Sequence, residues 1–194
     1  AALKSAAITS EFVGGFRVTT PEIFEIVERV LAGEVGPAVA QSLQREGVSA
    51  VAMSGRNSGT LTAEPLTSLV DGSPADLGLV GVVTAVDTSE IKRAASSGQV
   101  PVVSPVARDA STESGLNVNA DLAAAAIAGA LDAQSLIIMT DVAGIYRSWP
   151  DKSSLISEIS YAELNSLKGT FAEGMAPKVQ ACLDAIDGGA KAVR

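Results

Sequence analysis

Histidine is absent from the sequence, and cysteine occurs once, at Cys182. Without an imidazole, a Ser-His-Asp system, histidine acid–base chemistry and a histidine-based zinc site are excluded within these residues. With one thiol, no intrachain disulfide framework can form, which fits a reducing compartment. Cys182 falls on an apolar helix face, where it reads as a small buried hydrophobe rather than a nucleophile. Aromatics make up only 4% of the 194 residues. Positive charge is also scarce: 14 Lys and Arg stand against 22 Asp and Glu, a formal charge of −8. No basic tract with interleaved aromatics exists, so nucleic acid is a poor partner. An apolar run long enough for a membrane span is missing too. The most apolar stretch, around 123–131, is short and lies between Asp121 and Asp132. The opening residues offer neither an h-region nor a cleavage context, so no signal peptide is read.

What is present is an apolar fraction of 47%, with 18 glycines and abundant alanine. Small residues let helices pack closely on a sheet, and the length is enough to bury a substantial core as one domain. The pattern along the chain supports this. Thr20-Pro21-Glu22 is a helix start, with a capping hydroxyl, proline at the first helical position and acid in the first turn. An apolar stripe of Ile23, Ile26, Val27, Val30 and Leu31 follows and is expected to end near Gly33. A second helix is expected over 37–46 and a strand over 50–53, closed by the turn 54–59. Short strands and turns fill 60–86. A helix over 89–96, a strand over 101–106 and a polar loop over 108–116 come next. A helix over 120–130 leads to a strand over 136–140. Ser160 with Glu163 makes a capping box for a helix over 162–168. A last helix spans 177–186, and 190–194 reads as the onset of a strand. Strands alternating with helices imply an α/β three-layer αβα sandwich on a mainly parallel sheet.

Several polar constellations could carry chemistry. Asn117-Val118-Asn119-Ala120-Asp121 sits where a polar loop enters a helix. Paired amides suit a carboxylate or an acylamide, whereas Asp121 at a helix start is equally a cap-region acid facing exposed N–H groups. Arg17 follows Gly14-Gly15; it is either a bidentate carboxylate clamp or a surface arginine in an ordinary turn. Lys178 lies in the first turn of a helix, where the helix dipole disfavours a cation unless an anion shares the place. Thr140-Asp141 and Gly144 stand at the carboxyl end of a strand, the end at which open α/β sheets bind ligands. Trp149, beside Pro150, suits either a base-flanking role or lid packing. No GxGxxG fingerprint and no GxxxxGK[ST] motif is present, so Rossmann and P-loop readings lack support.

Taken as an ordered set, these segments resemble the amino-acid kinase family, and within it the acetylglutamate kinases of actinobacterial type. The matching stretches are FVGGFRVTTPE at 12–22, AVAMSG at 50–55, LGLVGVV at 77–83 and GQVPVVSPVA at 98–107. NVNADLAAAAIAGAL at 117–131, LIIMTDVAGIY at 136–146, WPDKSSLISEIS at 149–160 and GMAPKVQACLDAI at 174–186 complete the series. The resemblance implies transfer of the γ-phosphoryl group of ATP, with Mg2+, to the γ-carboxylate of N-acetyl-L-glutamate in arginine biosynthesis. It implies Arg17 as a clamp for a substrate carboxylate, Asn117 as a substrate-binding amide and Asn119 as a shaper of that pocket. Asp121 would organise the catalytic lysines, and Lys178 would stabilise the transferring phosphoryl group. Thr140, Asp141, Gly144, Tyr146, Trp149, Gly174 and Met175 would border the ATP site. A homodimer or higher homo-oligomer, a cytoplasmic location and arginine as an effector of the parent enzyme are also implied.

The family opens with a strand and a lysine- and glycine-rich loop, and the resemblance places neither after Ala1. The 194 residues are therefore expected to be a fold incomplete at both ends, with impaired catalysis. Arg56-Asn57-Ser58-Gly59 also stands where the family usually has a charged residue with an acid. Two other readings remain open: a related kinase acting on an aminoadipate-type substrate, and a non-catalytic remnant serving as an assembly module.

Overall fold

Thr20 begins the first long helix as its sequence dictates: the Thr20 hydroxyl oxygen accepts from the Ile23 N–H at 3.3 Å, and Pro21 occupies the first turn. The computed structural model describes residues 2–69, 71–171 and 175–194. Ahead of that helix lie a short helix, α1 (Ala2–Ser5), and a hairpin of β1 (Phe12–Val13) with β2 (Phe16–Arg17). The glycine pair between the strands has φ of +57° at Gly14 and +85° at Gly15. Two successive positive φ values make a tight two-residue hairpin turn that matches the right-handed twist of the strands. The glycine pair is thus a fixed turn, and it aims Arg17.

Helix α2 (Pro21–Glu28) does not stop near Gly33. It passes through a π-helical segment, Arg29–Val35, directly into α3 (Gly36–Arg45). The cause is Pro37. Its ring has no N–H to give and would crowd a carbonyl four residues back, so the ladder shifts register. The Gly36 N–H reaches the Leu31 carbonyl instead, and the Ser104 hydroxyl donates to that same oxygen at 2.8 Å.

Strand β3 (Ala50–Ser54) pairs in parallel with β6 (Val100–Ser104), register Ala50↔Val100 through Ser54↔Ser104. Helix α3 packs on this pair, and α4 (Ser89–Ser96) packs on β6. The α/β class is as expected, with one feature the sequence did not reveal. Strands β4 (Leu61–Pro65), β5 (Val80–Val86), β8 (Gly115–Val118) and β7 (Val106–Asp109) close on one another in mixed directions. Their interior holds Leu61, Ala63, Ala107, Leu116 and Val118, sealed by Ala123 of α5 (Ala120–Ala130).

The segment 108–116, expected as a loop, is largely the tip of the β7–β8 hairpin. Its polarity misled because the turn is built from side chains. Asp109, only 5% exposed, accepts from the Ser111 N–H at 2.7 Å, the Ser111 hydroxyl at 2.8 Å and the Thr112 N–H at 3.2 Å.

The strands expected at 136–140 and 190–194 do not form as such; the two segments meet at an isolated parallel bridge, Leu136↔Val193. The Leu136 N–H donates to the Ala192 carbonyl at 2.9 Å, and the Arg194 N–H donates to the Leu136 carbonyl at 2.8 Å. Leu136 and Ile138 face an alanine-lined core, while Ile137 is 67% and Met139 92% exposed, the period-two alternation of a strand. That core lies between α5 and α7 (Ala176–Asp187). Helix α6 (Tyr161–Leu167), capped by Ser160 as expected, completes the α7 side.

Candidate functional site

Arg17 and Asn117 line one cavity of about 720 Å³. They come from distant parts of the chain. Arg17 ends the glycine hairpin and Asn117 lies in β8, next to β5 in the closed sheet. Ile26 and Val27 of α2, with Val30 and Leu31 of the π-helical segment, provide an apolar wall. The widened helix therefore shapes the pocket. The Arg17 guanidinium sits 4.3 Å from the Phe12 ring centroid and donates through Nη1 to the Ser10 hydroxyl oxygen. Stacking on a ring lowers the conformational freedom of a long side chain, so the guanidinium is held in one place at the cavity wall.

A residue that the sequence reading overlooked joins the two. Thr19 is fully buried. Its hydroxyl donates to the Arg17 carbonyl at 2.8 Å and accepts from Asn117 Nδ2 at 3.1 Å. The signal lay in the sequence, as a threonine two positions past the arginine, but spacing alone could not show its contact with Asn117.

Asn119 is the N-cap of α5. Its Oδ1 accepts from the Asp121 N–H at 2.9 Å and the Leu122 N–H at 3.2 Å. The cap is thus Asn119 and not Asp121, which leaves the Asp121 carboxylate free for another partner. That partner is Lys178: Nζ and Oδ2 lie 2.9 Å apart, with side chains 28% and 21% exposed. A lysine in the first turn of α7 is awkward for the dipole, and the anion that offsets it comes from the first turn of α5. The pair fastens two helix starts together.

Of the residues read as a nucleotide border, Thr140, Asp141, Gly144, Tyr146 and Trp149 occupy the segment between α5 and α6, and Met175 is the N-cap of α7. Thr140 donates to the Asp141 carboxylate at 3.3 Å. Gly144 has φ +152°. Tyr146 and Trp149 meet edge to face at 5.3 Å, and Trp149 is 61% exposed. Ile145 and Met175 pack into the same cluster around Leu164, Val179 and Leu183, which sets this segment against the start of α7. Gly174 lies outside the described residues. Cys182 is half-buried in that cluster, and burial followed by the nearby Asp121 charge pushes its thiol pKa up, as an inert packing residue requires.

The α/β scaffold thus presents an arginine and an amide in one cavity, and a lysine–carboxylate pair at two helix starts. The chain belongs to the amino acid kinase family, whose model matches residues 1–194. It is 47% identical over 196 residues to the acetylglutamate kinase of Paenarthrobacter aurescens, covering 96% of this chain and 62% of that protein. It is likewise 47% identical over 189 residues to the acetylglutamate kinase of Bifidobacterium longum, covering 96% of this chain and 62% of the relative. The chain thus spans about three fifths of the length of these curated relatives. Among solved structures, a protein of Streptococcus mutans superposes with a TM-score of 0.81 at 25% identity, covering 96% of this chain and 73% of that one. N-acetylglutamate synthase from Neisseria gonorrhoeae, complexed with coenzyme A and N-acetyl-glutamate, superposes at 0.76 with 24% identity, covering 98% and 42%. The latter likeness speaks for the fold.

Proposed function

We propose that this chain carries the acyl-amino-acid pocket and one cationic arm of an acetylglutamate kinase, and that its substrate is N-acetyl-L-glutamate. The observation that carries the reading is the convergence of Arg17 and Asn117 on one cavity with an apolar wall. An arginine held by Ser10 and Phe12 suits a carboxylate, the amide suits a second polar group of the substrate, and the wall suits an acyl methyl or the carbon chain. The names of the relatives point to the same substrate.

In the proposed reaction a γ-carboxylate oxygen of N-acetyl-L-glutamate attacks the γ-phosphorus of ATP. The bond from that phosphorus to the bridging oxygen breaks and ADP leaves, giving an acyl phosphate. Such a transfer needs alignment and compensation of negative charge more than a covalent nucleophile, so the lack of histidine is no obstacle. Lys178 would neutralise charge on the moving phosphoryl group, with Asp121 fixing the lysine. Tyr146, Trp149 and the neighbouring glycine turn would border the nucleotide. Among the described residues no three His, Cys, Asp or Glu side chains converge on a metal-sized space. Mg2+ would enter with ATP, whose phosphates would supply part of its oxygen shell. Assembly as a homo-oligomer and arginine as an effector of the longer protein belong to the same proposal.

Titration calorimetry tests it. N-acetyl-L-glutamate is expected to bind the chain, and Arg17→Ala or Asn117→Ala to weaken it about tenfold or more. Equal binding by both variants would sink the assignment. N-acetylaminoadipate, one methylene longer, belongs in the same experiment, because a single methylene separates substrates by roughly ten- to two-hundredfold.

A further inference from the structure

We propose that Thr19 is the positioning residue of this pocket: its hydroxyl fixes the Arg17 main chain and the Asn117 side-chain amide in one arrangement. The inference rests on the reading of the Arg17–Asn117 cavity as the substrate site. The geometry leaves the hydroxyl little choice. Its proton goes to the Arg17 carbonyl at 2.8 Å, so toward Asn117 it can only accept. The group facing it must then be the NH2 end of the amide, which Nδ2 at 3.1 Å is. This sets which way the amide points. One N–H of Asn117 is used by Thr19, and the other N–H and Oδ1 remain for a ligand.

Thr19 is itself clamped on both sides. Its N–H donates to the Leu77 carbonyl at 2.9 Å, and its own carbonyl accepts from the Leu79 N–H at 2.7 Å. The Asn117 N–H in turn donates to the Leu79 carbonyl at 2.9 Å. Thr19, Leu79 and Asn117 therefore lie across three neighbouring extended segments. With its backbone locked and its side chain buried, the hydroxyl is a fixed point from which the arginine and the amide are both measured.

Thr19→Val keeps the shape and removes the hydroxyl, Thr19→Ala removes it without adding bulk, and Thr19→Ser restores it. Two readouts separate this inference from the substrate assignment. The first needs no ligand: the Asn117 side-chain NH2 resonance, identified by its loss in Asn117→Asp, is followed by NMR. It should shift and exchange faster with water in Thr19→Val or Thr19→Ala, and stay close to wild type in Thr19→Ser. The second is N-acetyl-L-glutamate affinity, expected to fall about tenfold without the hydroxyl and to stay within about twofold in Thr19→Ser. If Thr19→Val does not fold, Thr19→Ala supplies both readouts. An unchanged Asn117 resonance in a folded hydroxyl-free variant overturns the role of Thr19 even if Arg17→Ala abolishes binding. A shifted resonance together with full binding by Arg17→Ala and Asn117→Ala keeps the positioning contact and overturns the substrate assignment.

Discussion

Lys178 Nζ lies 2.9 Å from Asp121 Oδ2, and this contact ties the first turn of α7 to the first turn of α5. Both side chains are mostly withdrawn from solvent, so the pair is worth more than a typical surface bridge, and losing one partner leaves a half-buried charge alone. Asp121→Asn and Lys178→Met are each expected to lower stability. The double variant should lose less than the two single losses added together, with a coupling of about 1 kcal/mol. Urea unfolding of the four proteins measures it. Strict additivity would show that the two groups do not feel one another.

A second ion pair sits where the resemblance breaks down. Arg56 donates to both oxygens of Glu28, at 3.1 and 3.0 Å, and through Nη2 to the Glu113 carbonyl at 3.3 Å. It thereby links the end of α2, which walls the cavity, to the tip of the β7–β8 hairpin, which carries Asn117. Arg56→Met is expected to cost about 1–2 kcal/mol and to speed amide hydrogen exchange over 110–115. Lysine at the same position cannot reproduce the forked contact and should restore only part of the loss. Exchange in that hairpin equal to wild type would exclude the link.

Local signals in this chain were readable where one short segment decides the outcome. Thr20 and Ser160 cap the helices that follow them, and the stripe from Ile23 to Val27 is set by helical periodicity alone. Arg17 and Asn117 could be named as candidates because their residue types suit an anion. Their shared cavity could not, because it depends on a closed mixed sheet whose pairings join β4 to β7 and β5 to β8. Likewise Asp121 reads from the sequence as the cap-region acid, whereas the cap is Asn119. Only the position of Lys178 on another helix shows why one caps and the other pairs. The continuation of α2 through Gly33 was hidden for a related reason. A glycine after an apolar stripe usually ends a helix, but here Ser104 from a distant strand satisfies the displaced Leu31 carbonyl.

Aspartate followed two residues later by serine recurs at Asp71, Asp87, Asp109 and Asp151, and in each case the carboxylate accepts from the serine N–H. Hydrogen bonds from these serines hold all four carboxyl pKa values below the usual range, and Asp109 is held at about 2. A carboxyl depressed in the folded state binds protons more readily when unfolded. Its contribution is therefore complete above the unfolded value, near 4, and disappears as pH falls toward the folded one. The contribution of these four carboxylates should stay level down to about pH 4 and drop toward about pH 2. Asp109→Asn keeps an acceptor oxygen for Ser111 but carries no charge and cannot titrate, so its stability should lie below wild type near neutrality and converge with it as the pH falls, giving a flatter acid limb. Urea midpoints across that range provide the check; parallel curves for the two proteins would rule Asp109 out as a contributor.

Gly78 faces the Thr19 backbone so closely that a Cβ would collide with the Thr19 carbonyl oxygen, and its φ is +66°. Gly47 has a comparable φ of +80° but open space around the position where its Cβ would be. The two glycines therefore separate backbone strain from steric collision. Alanine at Gly47 meets only the left-handed penalty and should cost about 1 kcal/mol. Alanine at Gly78 meets both and should cost about 3 kcal/mol or more, because the segment bearing Thr19 must move away. Moving it also disturbs the hydroxyl that holds Arg17 and Asn117, so any folded Gly78→Ala protein should show a shifted Asn117 side-chain amide resonance, whereas Gly47→Ala should not. Equal urea midpoints for the two variants would mean that the close approach of Gly78 to Thr19 contributes nothing to stability.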